Sequence, residues 1–196
     1  MKRTLLSSFL VGILLLASIT AEAKENTRSG IFVGAGYQIL YISDVWGEDI
    51  NLGVLSGTVG YTIPINETFS IVPQLRLGTG VIDYSVDYVY AIFGNYPGWV
   101  VVGVDTEVDY SLGAAVHFQA NFKNGISVFA GPSYANVETT STITTFLGAK
   151  DSFSDTFSEF GLGAGVGYNF KNMGVELAYE HFNEIGALSA TFKYHF

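Results

Sequence analysis

The sequence closes with Gly186-Ala-Leu-Ser-Ala-Thr-Phe-Lys-Tyr-His-Phe196, a segment in which apolar and polar residues alternate. Successive side chains of an extended strand point to opposite faces, so this segment would have one apolar and one polar face. The apolar face would carry Leu188, Ala190, Phe192, Tyr194 and Phe196. A large apolar residue is unusual at a chain terminus in water, because termini usually fray. The segment therefore predicts a strand with an apolar environment on one side.

The same two-residue alternation recurs along the chain and predicts seven further strands. They cover residues 31–43, 52–65, 68–82, 106–122, 126–137, 158–170 and 175–182. The connections after the second, fourth and sixth strands are short turns, whereas those after the first, third and fifth are longer. An even number of antiparallel strands with this asymmetry is typical of a transmembrane β-barrel. The predicted fold is all-β, an eight-stranded antiparallel transmembrane β-barrel.

Two of the longer connections are rich in β-forming residues and predict hairpins that protrude beyond the membrane. Residues 83–105 contain the turn signal Gly94-Asn-Tyr-Pro-Gly98, and residues 138–157 contain another near 148–151. The first connection also carries Tyr88, Tyr90, Phe93, Tyr96 and Trp99. These rings form a candidate surface-binding loop, or they pack against one another across the hairpin. Residues 44–51 are predicted to form a polar, acidic loop.

The three short turns also predict how neighbouring strands are paired. The predicted pairs are Phe122–Ile126 across the three-residue loop 123–125, Phe170–Val175 across the next turn, and Phe182–Ala187 across the last, which sets Glu176 opposite Lys193. With this register, apolar and polar residues stay on consistent faces of the sheet, as a closed barrel requires.

The choice between an outward and an inward apolar face rests on three features. Aromatic residues gather near the strand ends, where a membrane barrel has its interfacial girdles. The polar face is small in volume, since strand 158–170 places four glycines on it, and this suits a crowded interior. The final residue is apolar. A lipocalin-type barrel, with apolar residues inside, is the alternative, and these features favour the membrane barrel.

The interior of such a barrel would hold a set of polar residues of both charge signs. They are Arg76, Asp109, His117, Gln119, Glu176, Glu180 and Lys193. Opposite charges at close range predict a hydrogen-bonded ionic network that plugs the barrel, and a proton or ion path is the alternative. Eight strands leave room for side chains and not for an aqueous channel, so a general porin is disfavoured.

The N-terminus has the parts of a secretion signal. Lys2 and Arg3 precede an apolar stretch, and Ala21-Glu-Ala23 is a small-x-small cleavage site. We therefore predict a signal peptide over residues 1–23 and one barrel domain over residues 24–196. The chain has no cysteine, 48% hydrophobic and 14% charged residues, and a net charge of −9. The acidic balance argues against nucleic acid as a partner.

Strands 158–170 and 175–182 carry a family resemblance. Phe160-Gly-Leu-Gly-Ala-Gly-Val-Gly-Tyr-Asn-Phe170, followed by Asn172-Met-Gly-Val-Glu-Leu-Ala-Tyr-Glu-His181, resembles a hairpin of the Ail/OmpX (Ail/Lom) outer-membrane proteins, and the OmpA-type transmembrane barrel is a close relative. The final phenylalanine fits as well. The resemblance implies a small integral protein of the Gram-negative outer membrane. It also implies attachment to host cells or matrix and resistance to serum complement, as in virulence-associated relatives.

Three functional hypotheses follow. The first is a binding barrel that uses its outer hairpins for adhesion, and the second is a structural protein of envelope integrity. The third is a small channel or a lipid-modifying enzyme. His117, His181 and His195 share no evident site with a serine or aspartate, so we expect no enzyme, cofactor or metal centre.

The expected partners follow from the same hypotheses. They are outer-membrane lipid and lipopolysaccharide, the barrel-assembly machinery, which would read Phe192, Tyr194 and Phe196 as a C-terminal signal, and a host protein or matrix ligand at the outer hairpins. Acidic residues of the outer segments give a solvated surface, or they bridge divalent cations to lipopolysaccharide, or they attract basic partners. We expect a monomer.

Overall fold

The computed structural model describes residues 30–45, 48–92, 98–144, 148–183 and 185–196, so the predicted signal peptide lies outside the described residues. The described chain forms nine strands. They are β1 (Gly30–Val45), β2 (Glu48–Pro64), β3 (Phe69–Ile82), β4 (Tyr84–Ile92), β5 (Gly98–Asn121), β6 (Ile126–Thr144), β7 (Lys150–Phe170), β8 (Met173–His181) and β9 (Ile185–His195). In this part of the chain, no helix has the length and apolar character to cross a membrane.

The strands form one antiparallel ring. The order is β3-β2-β1-β9-β8-β7-β6-β5-β4, and a further pairing between β3 and β5 closes the ring. β3 pairs with β5 from Phe69↔Ala120 to Gly78↔Ser111, and β4 pairs with the earlier half of β5, from Tyr84↔Thr106 to Ile92↔Gly98. β3 and β4 are thus two halves of one strand that is interrupted at Asp83. The ring therefore has eight strands, which confirms the predicted count and fold class.

Apolar side chains point outward from this ring and form its exposed belt. Ile31 and Val33 of β1 are about half exposed, whereas Phe32 between them is fully buried. Large exposed apolar residues occur in the same alternating way on the other strands, including Leu55, Val59, Leu75, Leu77, Phe118, Leu162 and Leu177. A surface of this kind suits acyl chains and not water. The predicted orientation, apolar outward and polar inward, is confirmed.

One end of the interior is apolar, which the alternation of the sequence does not predict. Leu40, Ile42, Leu52, Val54, Val108, Val137, Phe182 and Ile185 are buried together there. These residues come from five strands and from the β8–β9 turn, near the side of the longer connections. They fill the barrel on that side, as small barrels require.

The strands β4, β5, β6 and β7 continue beyond the ring as a four-stranded sheet. β5 has 24 residues, about twice the 9–11 residues that a strand needs to cross a bilayer. In this extension the hydroxyl groups of Thr140 and Ser154 lie 2.9 Å apart. Those of Thr142 and Ser152 are separated by the same distance. The predicted protruding hairpins are therefore confirmed. The predicted loop 44–51 is wrong in extent, because β1 reaches Val45 and β2 begins at Glu48.

Two of the three predicted registers are wrong by two residues. The loop 123–125 has the predicted form, with Phe122 N donating to Ile126 O and with Gly125 at a φ of 88°. Phe170, however, pairs with Met173, and His181 pairs with Gly186. Two residues lie between Phe170 and Met173, and the hydrogen bond from Phe182 N to Ile185 O closes the second turn with two residues between as well. Two-residue loops are the commonest hairpin connections. A shift by an even number preserves the side-chain faces, so the inward and outward assignments are unaffected.

A β-bulge on β5 overturns the prediction for Asp109. The register between β5 and β6 shifts between Val108 and Tyr110, because the bulge adds one residue to β5. Val108, which alternation with an inward Asp109 would place on the lipid-facing side, is therefore buried in the interior. Asp109, predicted to lie in the interior, is exposed, and its Oδ2 accepts a hydrogen bond of 2.7 Å from Thr140.

The glycines of β7 provide a test of the inward face. A Cβ atom added at Gly165 would overlap the carbonyl oxygen of Leu177 and the ring of Phe129. We expect Gly165→Leu to lower the free energy of unfolding by about 1–3 kcal/mol, because the interior cannot expand. Ala164→Leu is the matched control, since its side chain faces the apolar surroundings, and it should change stability by less than about 0.5 kcal/mol. Urea titration of the folded barrel in lipid vesicles measures both, and equal effects would contradict the assigned faces.

Candidate functional site

Two ion pairs lie in the interior of the barrel. Arg76 of β3 binds Glu180 of β8 with both terminal nitrogens, with Nη1 2.5 Å from Oε2 and Nη2 2.7 Å from Oε1. Four strand-to-strand steps separate β3 from β8 in the ring of eight, so this pair joins opposite walls. The bidentate geometry is the strongest form of an arginine–carboxylate contact.

The second ion pair joins β8 and β9. Lys193 Nζ lies 2.6 Å from Glu176 Oε2, donates a hydrogen bond of 3.1 Å to Gln74 Oε1, and stands 4.3 Å above the centre of the Phe32 ring. Lys193 is almost fully buried. Buried charges of this kind are stable only when they are paired and hydrogen-bonded, which is the arrangement observed. Glu176 and Lys193 thus meet diagonally, although the strand register does not set them opposite each other.

The remaining predicted interior residues are placed differently. His117 is buried and stacks on Phe129, with ring centroids 4.6 Å apart and an interplanar angle of 17°. Gln119 belongs to a separate polar group at the β5–β6 turn, where it donates to Asn121 Oδ1 at 2.6 Å. Asp109 lies outside, as described above. Gln74 and Phe32 complete the lysine site and were not among the predicted residues. Alternation along β1 and β3 places both side chains on the inward face, but no sequence signal shows which strands face each other across a barrel.

The interior around these ion pairs is filled by side chains. Interior side chains line two cavities of about 10 Å³ each. One cavity reaches the apolar end, and the other lies next to His117 and Lys193. A cavity of this size holds about one water molecule. The described residues contain no group of three or more histidine, aspartate or glutamate residues that could hold a metal ion. The geometry suits a plug that ties the walls together.

The protruding sheet has an open edge on β7. Residues 150–161 of β7 pair with β6 on one side. The pairing of β7 with β8 begins only at Leu162↔His181. No other strand of the described chain covers this edge. The sheet carries exposed acidic side chains at Asp105, Glu107, Asp109, Asp151 and Asp155.

The predicted aromatic residues are only partly placed. Tyr88 and Tyr90 belong to β4 and Trp99 belongs to β5, where Ala91 pairs with Trp99. Their side chains, and Phe93 and Tyr96 entirely, lie outside the described residues. The candidate surface-binding loop therefore stays a prediction.

The C-terminal aromatic residues line one face of β9. Phe192, Tyr194 and Phe196 are all exposed on the outward face, and the rings of Tyr194 and Phe196 meet edge to face at 5.2 Å. The backbone nitrogen of Phe196 donates to Ile31 O at 3.0 Å, which joins the end of the chain to β1. Their role as an assembly signal stays a prediction.

Comparison with known proteins agrees with this geometry. Residues 10–196 match the family described as "Outer membrane protein beta-barrel domain". No curated protein matches the sequence. Among solved structures, the chain is similar to Ail, the attachment invasion locus protein of Yersinia pestis, with 13% identity and a TM-score of 0.50 over 86% of this chain and 100% of that one. Another structure of Ail holds the heparin analogue sucrose octasulfate, with 12% identity, a TM-score of 0.50, and coverage of 86% and 99%.

Neisserial surface protein A is similar as well. It shares 17% identity with a TM-score of 0.50, over 86% of this chain and 98% of that one. At these identities the likeness shows the fold, and the family match covers nearly the whole sequence. The apolar belt, the eight-stranded ring and the family match agree on location and type: the chain belongs to the family of outer-membrane proteins with a β-barrel domain.

Proposed function

We propose that the protein is an adhesion barrel, which displays its four-stranded sheet at the cell surface and binds extended, basic segments of host or matrix proteins. The open edge of β7 carries this proposal. An extended peptide can add to such an edge through main-chain hydrogen bonds, as in other strand-addition complexes. Residues 150–161 would offer an edge of about 40 Å, since a strand rises about 3.4 Å per residue.

The charge of the sheet supports the class of partner. Asp105, Glu107, Asp109, Asp151 and Asp155 are exposed, and Lys150 is the only exposed cation on the described part of the sheet. Such a surface attracts basic partners and repels polyanions. Ail was crystallised with a polysulfated ligand, and the acidic sheet of the present chain favours a partner of the opposite charge. The same charges would prevent the edge from pairing with a second copy.

A peptide titration tests the proposal. The full chain in nanodiscs would be titrated with an extended peptide of alternating lysine and valine, with alternating glutamate and valine as the comparison. Because an exposed charge pair is worth about 0.2–1 kcal/mol, we expect Asp151→Asn with Asp155→Asn to weaken lysine-peptide binding by about three- to tenfold. Glu67→Gln is the matched control, since Glu67 is an exposed acid at the opposite end of the barrel, and it should leave binding unchanged.

A deletion separates the sheet from the barrel. Thr140 pairs with Ser154 in the β6–β7 hairpin, so residues 141–153 can be replaced by an Asn-Gly turn without altering the ring. Cells that display this variant should lose adhesion to wells coated with basement-membrane matrix. Undiminished adhesion, or equal binding of the glutamate and lysine peptides, would rule the proposal out.

A second candidate, a structural role in envelope integrity, is supported by the filled interior. The cross-barrel ion pair and the apolar end tie the walls of the barrel together, and two cavities next to the ion pairs have volumes of about 10 Å³ each. A strain without the protein would then be more sensitive to detergent, and the shortened variant would restore resistance fully. Unchanged detergent sensitivity in that strain would count against this candidate.

A further inference from the structure

Lys123 and Lys171 lie in neighbouring turns at the end of the barrel opposite the protruding sheet. Both are exposed. Lys123 belongs to the β5–β6 turn and Lys171 to the β7–β8 turn. The two turns are joined, because Asn169 N donates to Gly125 O at 2.8 Å and Ile126 pairs with Tyr168. Two short turns of neighbouring hairpins thus present two cations at one place.

Charged residues are distributed unevenly over the part of the chain that the structure describes. In the described residues, Arg76 and Lys193 are paired in the interior, and Lys150 is the other exposed lysine, on the protruding sheet. The exposed acids of the sheet lie at the far end, whereas the exposed Glu67 of the β2–β3 turn lies at the same end as the two lysines. In the outer-membrane barrel fold, the short turns are periplasmic and the long extensions are extracellular. Lys123 and Lys171 therefore lie at the periplasmic leaflet, which is made of glycerophospholipids.

An apolar groove begins at the same turns. It has a volume of about 880 Å³ on the outer surface. It is lined by the turn residues Phe122 and Asn124 and continues along the strands past Ile126, Tyr168, Val175 and Phe192. Exposed aromatic rings at this level, including Tyr168 and Phe170, have the character of an interfacial girdle. Lys123 stands between the lining residues Phe122 and Asn124, so the groove begins next to this cation, as the chains of a lipid begin next to its headgroup.

The backbone at Lys171 adds a further observation. Lys171 has a φ of 50°, which is a left-handed conformation that glycine or asparagine adopts at lower cost. The turn therefore carries a lysine where a different residue would be less strained.

We propose that Lys123, Lys171 and the adjoining groove form a binding site for an anionic glycerophospholipid of the periplasmic leaflet. The lysine ammonium groups contact the phosphate and the anionic headgroup, and the acyl chains occupy the groove. A basic residue near an anionic lipid surface is worth about 1 kcal/mol, or about fivefold in affinity, and the attraction falls with ionic strength.

Native mass spectrometry tests the site in the full chain. The protein would be released from nanodiscs that contain phosphatidylcholine with a minor fraction of phosphatidylglycerol, and the retained lipids would be counted. We expect the parent to retain phosphatidylglycerol with about a tenfold preference over phosphatidylcholine. Each lysine contributes about fivefold, and screening by salt reduces the combined effect of the two. Lys123→Gln with Lys171→Asn should remove the preference. Asparagine tolerates the left-handed conformation, so this variant keeps the turn intact.

Two comparisons make the result decisive. Lys150→Gln removes an exposed lysine at the other end and should keep the preference. Ala190→Phe, which projects into the groove, should lower the number of retained lipids of either kind. A preference that survives the double variant, or one that Lys150→Gln also removes, would overturn the headgroup site. Unchanged lipid retention in Ala190→Phe would overturn the placement of the acyl chains.

Discussion

Replacement of Glu180 by alanine is expected to lower the free energy of unfolding by about 3–5 kcal/mol. The carboxylate is 2% exposed and receives both terminal nitrogens of Arg76. Without it, a guanidinium group would remain in the barrel interior with no opposite charge in contact. The loss should be visible as a lower midpoint of urea unfolding in lipid vesicles, and as a lower temperature at which the folded band disappears in a heat-modifiability gel.

A double variant separates the penalty of an unpaired charge from the value of the pair. Arg76→Met with Glu180→Leu replaces both charged groups by apolar ones, and buried pairs replaced in this way are often neutral or more stable. We therefore expect the double variant to recover most of the stability that Glu180→Ala loses. Asp155→Ala, on the protruding sheet, is the control for loss of an exposed carboxylate and should change stability by less than about 0.5 kcal/mol. A double variant as unstable as the single one would contradict the assigned pairing.

Introduction of arginine at Leu75 is expected to cost about 2–4 kcal/mol. Leu75 is 57% exposed and lies near the middle of β3, with Val59 and Ala114 as its neighbours on either side. Its exposed side chain would therefore contact acyl chains near the bilayer midplane. A guanidinium group there has no water and no anion within reach. The free energy of unfolding in vesicles of defined lipid measures the cost.

Phe153 provides the matched control for this prediction. It is also a large apolar residue, 45% exposed, but it lies on the part of β7 that continues beyond the ring. Phe153→Arg should cost less than about 1 kcal/mol, because its surroundings are water. Similar costs at the two positions would show that the boundary between membrane and extension is placed incorrectly.

The outward and inward faces could be read from the sequence wherever a strand is regular. In β1, β3 and β7 the alternation alone placed Ile31, Arg76 and Phe160 on the correct sides, because the side-chain period of a strand is two. The same rule failed at Asp109, since one extra residue at a bulge reverses the parity and no composition signal marks that position.

Contacts across the barrel could not be predicted. The charge signs of Arg76, Glu176, Glu180 and Lys193 indicated that ion pairs would form, but not which acid would bind which base. That choice depends on register, and two turns are tighter than expected, which moves β8 and β9 by two residues. The buried apolar end escaped prediction for a related reason. Leu40, Leu52 and Val54 lie near the ends of predicted strands, where alternation assigns a side chain to a face but does not show which side chains meet inside the barrel.

The pairing of β1 with β9 has a consequence for biogenesis. Phe32 pairs with His195 and Ile42 with Ile185, so the seam joins residues that are more than 140 positions apart in the chain. All other neighbours along the ring, except for the shared contact of β3 with β5, are consecutive hairpins that can form as the polypeptide emerges. The pairing of β1 with β9 cannot form until β9 has been translocated. A truncated translation product would keep two unpaired edge strands. Because of this topology, the barrel can close only in a polypeptide that has been secreted as far as its last strand.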